Sequence, residues 1–275
     1  MQVRTRLASW RLLAALLALL AAWPVLAQQP DAAAAGTCAK VWLGREAELE
    51  AYLKTAMIDR IEEIPLGVTK PLHAFLAPGG PFGSMAWKPL RPGLYDGKLE
   101  SYKAEIAAYE LDKMLELHMT PPTVERQIDG KYGAAIMWIA PVTMWRDMKR
   151  EKRPTGNRWT FQIIRQRMFD DLIGNDDRNQ GNLLIDGDGH LCLIDASRAF
   201  STSTNLPSKI EKVDAIQWGR ISALTEESLT AAVGAWLDQA QIRALLDRRA
   251  KIKQAIDKLV AASGAAKVFV AEGKQ

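Results

Sequence analysis

Two short apolar segments joined by a Gly-Asp-Gly turn constrain the fold of this chain more than any other feature. Residues 182–186 have the sequence NLLID, residues 190–195 have HLCLID, and the turn occupies residues 187–189. Short apolar segments separated by glycine and aspartate are typical of a β-hairpin. We therefore predict that the chain doubles back here and that the two segments pair.

A helix and a polar loop precede this hairpin. Residues 158–173 have a helical pattern, Asn157 is placed to cap the start of the helix, and Gly174 is placed to end it. The residues between Gly174 and the hairpin are almost all polar. The predicted order is therefore helix, polar loop and hairpin.

Three polar residues of this block have the spacing of a site for metal and phosphate. Asp177 lies in the loop, Asn182 begins the first strand, and Asp195 ends the second. Because residues across a hairpin are neighbours, we expect Asn182 and Asp195 to lie close together. Carboxylate and amide oxygens are the hard ligands that Mg²⁺ prefers, and phosphoryl transfer also needs a carboxylate that orients the attacking hydroxyl. Taken one at a time, Asp177 and Asn182 are equally typical of turns.

The rest of the chain places strands before helices. Residues 64–76, 84–90 and 132–140 have strand-like patterns, and residues 100–118 have the pattern of a long helix. The pattern from residue 214 to residue 262 is helical. This order predicts an α+β chain of two lobes, in which a β-rich N-terminal lobe carries one long helix and the C-terminal lobe is mainly helical.

The polar, basic segment of residues 146–158 is the best candidate for a loop between the lobes, and residues 43–62 have helical spacing. The expected boundaries are a leader at residues 1–27, a linker at 28–42, the N-terminal lobe at 43–140, the C-terminal lobe at 141–265 and a tail at 266–275.

The first 27 residues have the layout of a secretory signal peptide. Three arginines within the first eleven residues precede an apolar run at residues 12–23, and Pro24 and a Val-Leu-Ala cleavage site follow. The run is shorter than the roughly 20 residues of a membrane span. We expect cleavage and export to the periplasm or the cell exterior, with an uncleaved N-terminal anchor as the alternative and as the only expected membrane contact.

Removing the leader changes the charge of the chain. The leader contains three arginines and no acidic residue, so the formal net charge falls from +4 to +1. A nearly neutral chain argues against nucleic acid as a partner. Cys38 and Cys192 could pair in an oxidising compartment, although Cys192 has the setting of a small buried hydrophobic residue.

Two motif blocks resemble known kinases. The stretch GNDDRNQGNLLI followed by LIDAS resembles the D-R-x-x-x-N and I-D-x-x pattern of the phosphatidylinositol-kinase-like superfamily of atypical kinases. The stretches DDLIGNDDR and AEIAAYELDKMLELHMTPPTVER resemble the Fam20-type kinases of the secretory pathway. The resemblance covers roughly residues 64–200. It implies a two-lobed kinase-like fold that uses ATP with Mg²⁺ or Mn²⁺ and transfers the γ-phosphate to a hydroxyl of a protein, lipid or small molecule.

The resemblance also implies roles for individual residues. Asp177 matches the catalytic aspartate, and Asn182 and Asp195 match the metal ligands. Lys88 matches the lysine that contacts the nucleotide, and Glu105 matches its ion-pair partner on the long helix.

Weaker matches complete the nucleotide site. Thr69 lies in a turn expected to cover the phosphates, and Met137 and Ile139 lie on the strand expected to lead to the adenine.

Helical spacing leaves Glu110 as a second candidate for the partner of Lys88. It also puts Glu105 on one stripe with Asp112 and Glu116, which is typical of a solvated face.

Some positions depart from these families. Asn179 stands where many relatives have histidine, and Fam20-type kinases have no asparagine at the position of Asn182. Two other functions therefore stay open. One is an exported pseudokinase or nucleotide-binding module without turnover, since ATP is scarce outside the cytoplasm, and the other is an AMP transferase.

Overall fold

The computed structural model describes residues 40–64 and 71–271. The predicted leader, most of the predicted linker, Cys38 and Thr69 lie outside the described residues. The helices are α1 (Glu46–Thr55), α2 (Tyr102–Met114), α3 (Gly156–Ile173), α4 (Ala215–Ser222), α5 (Glu226–Val233), α6 (Gln239–Ser263) and α7 (Ala265–Val268). The strands are β1 (Ile58–Glu63), β2 (Leu72–Leu76), β3 (Ser84–Lys88), β4 (Gly93–Tyr95), β5 (Lys98–Glu100), β6 (Thr123–Ile128), β7 (Lys131–Met137), β8 (Val142–Met144), β9 (Leu183–Asp186), β10 (Leu191–Leu193), β11 (Val213–Asp214) and β12 (Phe269–Val270).

The N-terminal part is built on a five-stranded antiparallel sheet with the order β1-β2-β3-β7-β6. Ala134 packs with Ile106 of α2, whereas its neighbour Ala135 packs in a cluster with Leu49 and Leu53 of α1. Because successive residues of a strand point to opposite faces, α1 and α2 cover opposite faces of the sheet. The sheet is therefore buried on both sides around β3 and β7.

The predicted hairpin is present and carries a third strand. β9 pairs with β10, and β8 adds to the other edge of β9. Leu193 N donates to Met119 O at 2.8 Å, which fastens β10 to the segment after α2. The hairpin thus lies where the N-terminal sheet and the C-terminal helices meet.

Helices form most of the C-terminal part. α3 and α6 pack against each other, and their apolar faces belong to one large core cluster that also includes Ala107 and Leu111 of α2. α3 ends at Ile173, and Gly174 caps it as predicted. Gly174 has a φ of +67°, in the left-handed region that favours glycine. The N-cap of α3 is Thr155, so the prediction of Asn157 as the cap was wrong by two residues.

These elements confirm the predicted α+β class, with an antiparallel sheet in the N-terminal part and helices in the C-terminal part. The prediction of one helix over residues 43–62 was wrong, because α1 ends at Thr55 and the next residues form the edge strand β1. Strand β6 was not predicted from the sequence. None of the helices in the described ranges is long and apolar enough to cross a membrane.

Candidate active site

Lys88, the last residue of β3, is directed by strand register toward α2. It pairs with Ala134 of β7, and Ala134 lies on the face that α2 covers. The side chain is buried, and its Nζ lies 2.7 Å from Glu105 Oε1 and 2.6 Å from Asp195 Oδ1. Burial opposes the charged form of Lys88, but the two carboxylates outweigh burial and raise its pKa above the ordinary value. The lysine is therefore a buried cation held between two carboxylates.

Glu105 lies in the first turn of α2 and is buried as deeply as Lys88. Its second oxygen, Oε2, accepts a hydrogen bond from Ala196 N at 2.8 Å. Both oxygens are thus satisfied, as a buried carboxylate requires. The alternative of a solvated stripe was wrong for Glu105, and for Asp112, which is also buried.

The other candidate partner for Lys88 has a different neighbour. Glu110 is partly exposed and lies 3.1 Å from Lys113 on its own helix. Among the contacts of the described residues, Glu105 is therefore the residue of α2 that forms the ion pair with Lys88.

Asp195 lies two residues beyond β10 with a φ of +60°, a conformation that non-glycine residues rarely adopt. Its Oδ1 accepts from Lys88 and from Ser197 Oγ, the latter at 3.1 Å. Burial would raise the pKa of Asp195, but the charge of Lys88 and these hydrogen bonds lower it. The lowered pKa keeps the carboxylate ionised, and with 37% of the side chain exposed it is accessible from outside. Backbone strain of this kind concentrates at functional sites.

Asn182 lies opposite Ile194, the residue before Asp195, across the hairpin. Ile194 N, one residue before Asp195, donates to Asn182 O at 3.2 Å. The Asn182 side chain is buried, and its Nδ2 donates to Asp177 O at 3.1 Å. The amide oxygen Oδ1 therefore keeps its acceptor capacity. Together, Asn182 Oδ1 and the Asp195 carboxylate are hard oxygen donors suited to Mg²⁺ or Mn²⁺.

Asp177 lies in a tight loop between α3 and the hairpin. Its N–H donates to Asn175 Oδ1 at 3.2 Å, and its carbonyl accepts from Asn179 N at 2.7 Å. Its carboxylate is 34% exposed and lies 3.0 Å from Arg198 Nη1. Asp177 therefore does form part of a turn, and this turn leaves its carboxylate at the protein surface.

Sequence reasoning missed the buried arginine that supports this loop. Arg178 Nη2 lies 3.0 Å from Asp170 Oδ1 on α3, and Arg178 Nε bonds both oxygens of Asp170. Arg178 also donates to Ile194 O. The adjacent Asp177 and Arg178 were the sequence signal that could have identified this arginine, because Arg178 fixes the loop that carries Asp177. Among the described residues, no three His, Cys, Asp or Glu side chains form a metal cluster.

Met137 and Ile139, which were expected to lie near the adenine, are buried in the apolar cluster of the N-terminal sheet. Met137 ends β7, where it pairs with Met85, and Ile139 lies just after it. Both residues are at most 6% exposed. Their role toward a nucleotide stays a prediction, and Thr69 is outside the described residues.

Solved kinases share this fold. The structure of hydra Fam20 with sugar superposes with a TM-score of 0.66 and 18% identity, over 84% of this chain and 93% of that chain. The Golgi casein kinase with Mn/ADP bound gives 0.63 and 16%, over 82% and 79%. This chain has the fold of the Fam20 kinases. The Helicobacter pylori proinflammatory kinase CtkA is more distant, at 0.52 and 11%, over 77% and 98%. No protein-family model matches the sequence, and no curated protein matches it.

Proposed function

We propose that this chain is an exported ATP-dependent phosphotransferase that passes the γ-phosphate of ATP to a hydroxyl acceptor. The observation that carries the proposal is the buried Lys88, held by Glu105 at 2.7 Å and by Asp195 at 2.6 Å. A buried lysine held by a helix glutamate is the group that positions nucleotide phosphates in kinases. The same fold in Fam20 and the Golgi casein kinase supports this function.

Lys88 has a donor left for the nucleotide. An ammonium group carries three N–H donors, and the two carboxylates engage two of them. The third can bond a phosphate oxygen without loss of either ion pair. In this proposal Glu105 fixes the position of Lys88, and the phosphates bind beside Asp195.

Asn182 and Asp195 would hold the metal ion. Their oxygens fit Mg²⁺ or Mn²⁺, and the Golgi casein kinase binds Mn with ADP. The metal would neutralise charge on the phosphates. The match of Asn182 to the phosphatidylinositol-kinase pattern stays a prediction from the sequence.

Asp177 would orient the attacking hydroxyl. Its carboxylate is partly exposed at the end of a loop that Arg178 fixes, so an acceptor can reach it. Protein, lipid and small-molecule acceptors are all compatible with this arrangement. In this proposal, export by the predicted leader puts the reaction in the periplasm or outside the cell.

The proposal is tested by incubating the mature chain with ATP and Mn²⁺ or Mg²⁺, with and without casein as a protein acceptor, and measuring intact masses. We expect a phosphate-sized gain, on the chain itself or on casein, that is lost in Asp177→Ala. An AMP-sized gain would instead identify an AMP transferase. A folded chain that neither gains mass nor consumes ATP would overturn the proposal and identify a pseudokinase or nucleotide-binding module.

A further inference from the structure

Asp177 is held by an arginine that the sequence motifs do not include. Arg198 Nη1 donates to Asp177 Oδ2 at 3.0 Å. Arg198 lies three residues after Asp195, in the segment that follows the hairpin. One side chain therefore connects the segment that carries Asp195 with the loop that carries Asp177.

Arg198 is itself fixed from the opposite side by Glu100. Its Nε and Nη2 both lie 2.8 Å from Glu100 Oε1. Glu100 is only 1% exposed and directly precedes Ser101, the N-cap of α2. The second oxygen of Glu100 accepts from Ser197 Oγ at 3.4 Å, and Ser101 N donates to Ser197 O at 2.9 Å. The guanidinium therefore has little freedom to move.

The geometry requires an arginine rather than any cation. A guanidinium presents five N–H donors in a rigid plane, so one edge can bind Glu100 while another N–H reaches Asp177. A lysine ammonium is a point charge on a flexible stem and cannot reproduce this fork. The contact occupies Asp177 Oδ2 and leaves Oδ1 to face an acceptor.

We propose that Arg198, anchored by Glu100, is a positioning residue that sets the orientation of the Asp177 carboxylate for the attacking hydroxyl. The inference rests on the proposed function, since it assigns Asp177 the role of orienting the acceptor. A carboxylate fixed at one oxygen loses rotational freedom before the reaction, which lowers the barrier without any change in nucleotide binding. The alternative is that Arg198 only fastens the start of α2 to the segment after Asp195.

The two roles differ in their kinetic signature. With water as the acceptor, ADP release from MnATP is measured for the mature wild-type protein and for its Arg198→Ala, Arg198→Lys and Glu100→Gln variants. We expect Arg198→Ala to lower kcat between about tenfold and about a hundredfold with KM for MnATP unchanged. Arg198→Lys restores little of the loss, and millimolar guanidinium restores part of it. Glu100→Gln, which keeps an acceptor oxygen for Arg198, gives a smaller loss of kcat in the same direction.

Arg165 offers a matched control. It is about as exposed as Arg198 and lies 2.8 Å from Asp214, a carboxylate as buried as Glu100, but it lies within α3, outside the loop of Asp177 and the segment of Asp195. Arg165→Ala should lower the melting temperature as much as Arg198→Ala and leave kcat unchanged.

The outcomes separate the inference from the proposed function. Arg198→Ala with wild-type kcat, in a protein where Asp177→Asn is inactive, overturns the role of Arg198 alone. A loss of kcat that guanidinium does not reverse and that Arg165→Ala matches overturns it as well. If the wild-type protein releases no ADP with either water or casein as the acceptor, the proposed function fails, and the positioning role fails with it.

Discussion

Lys88 Nζ and Glu105 Oε1 lie 2.7 Å apart across 17 residues of sequence, with both side chains 5% exposed. Moving two such charges out of water costs several kcal/mol each, so further hydrogen-bond partners are needed to offset that cost. Asp195 supplies a second carboxylate to Lys88, and Ala196 N supplies a donor to Glu105. The position of α2 against the sheet is thereby tied to the segment that carries the proposed metal ligand.

Lys88→Met should destabilise the protein and abolish ATP turnover. The substitution leaves Glu105 buried without its cation, which costs about 3–5 kcal/mol of unfolding free energy. Lys113→Met is the control, because Lys113 also bridges two carboxylates, Glu50 and Glu110, but is 31% exposed. It should cost about 1 kcal/mol or less. Urea denaturation and ADP release measure the two effects, and equal losses of stability in the two variants would contradict the prediction.

Asp177→Asn should abolish turnover and leave the fold and the affinity for MnATP nearly unchanged. The carboxylate is 34% exposed and contributes little to packing, and its proposed role is in the transfer step. Asp176→Asn is the control, since Asp176 is the adjacent residue and is 63% exposed in a contact with Lys98. It should keep wild-type turnover. Turnover and calorimetric titration with MnATP decide the question; wild-type turnover in Asp177→Asn would remove Asp177 from the mechanism.

Asn182→Ala should raise the Mn²⁺ concentration needed for half-maximal turnover by about tenfold or more, because one of two proposed oxygen ligands is lost. ADP release at fixed ATP across a Mn²⁺ series measures the change. Asn157→Ala, at an exposed asparagine in the first turn of α3, should leave the Mn²⁺ dependence unaltered. An Asn182→Ala curve that overlays the wild-type curve would show that the metal binds without this residue.

The hairpin and the approach of Asn182 to Asp195 could be predicted from the sequence because both depend on local spacing. A Gly-Asp-Gly turn between two short apolar segments fixes which residues face each other. The pairing of Ile194 N with Asn182 O is a direct result of that register.

The choice between Glu105 and Glu110 depended on information that helical spacing does not contain. The packing of α2 on the sheet decides it, because it places Glu105 at 2.7 Å from Lys88 and leaves Glu110 partly exposed beside Lys113. The spacing alone grouped Glu105 with solvated residues, since buried acids are rare unless they are paired.

The contacts of Arg178 and Arg198 could not be predicted from the sequence for a similar reason. Arg198 reaches Glu100 across 98 residues and Asp177 across 21, and an isolated arginine gives no pattern for such contacts.

The edge strand β1 was missed because its residues are mostly exposed, and pairing with β2 rather than hydrophobic alternation determines its structure.

Asp171 should make the protein less stable as the pH rises through the weakly acidic range. Burial raises its pKa from 3.8 to about 6 against the hydrogen bonds from Ser208 N and Oγ, both 2.8 Å. The folded state therefore binds more protons than the unfolded state between these two values, so the free energy of unfolding falls across that window and is level above it. Asp171→Asn keeps the shape of the side chain and should remove this fall, so its advantage over the wild type grows up to about pH 6. Urea midpoints measured across the acidic range, with the exposed Asp257→Asn as the control, test this, and a difference between Asp171→Asn and wild type that does not vary with pH would refute it.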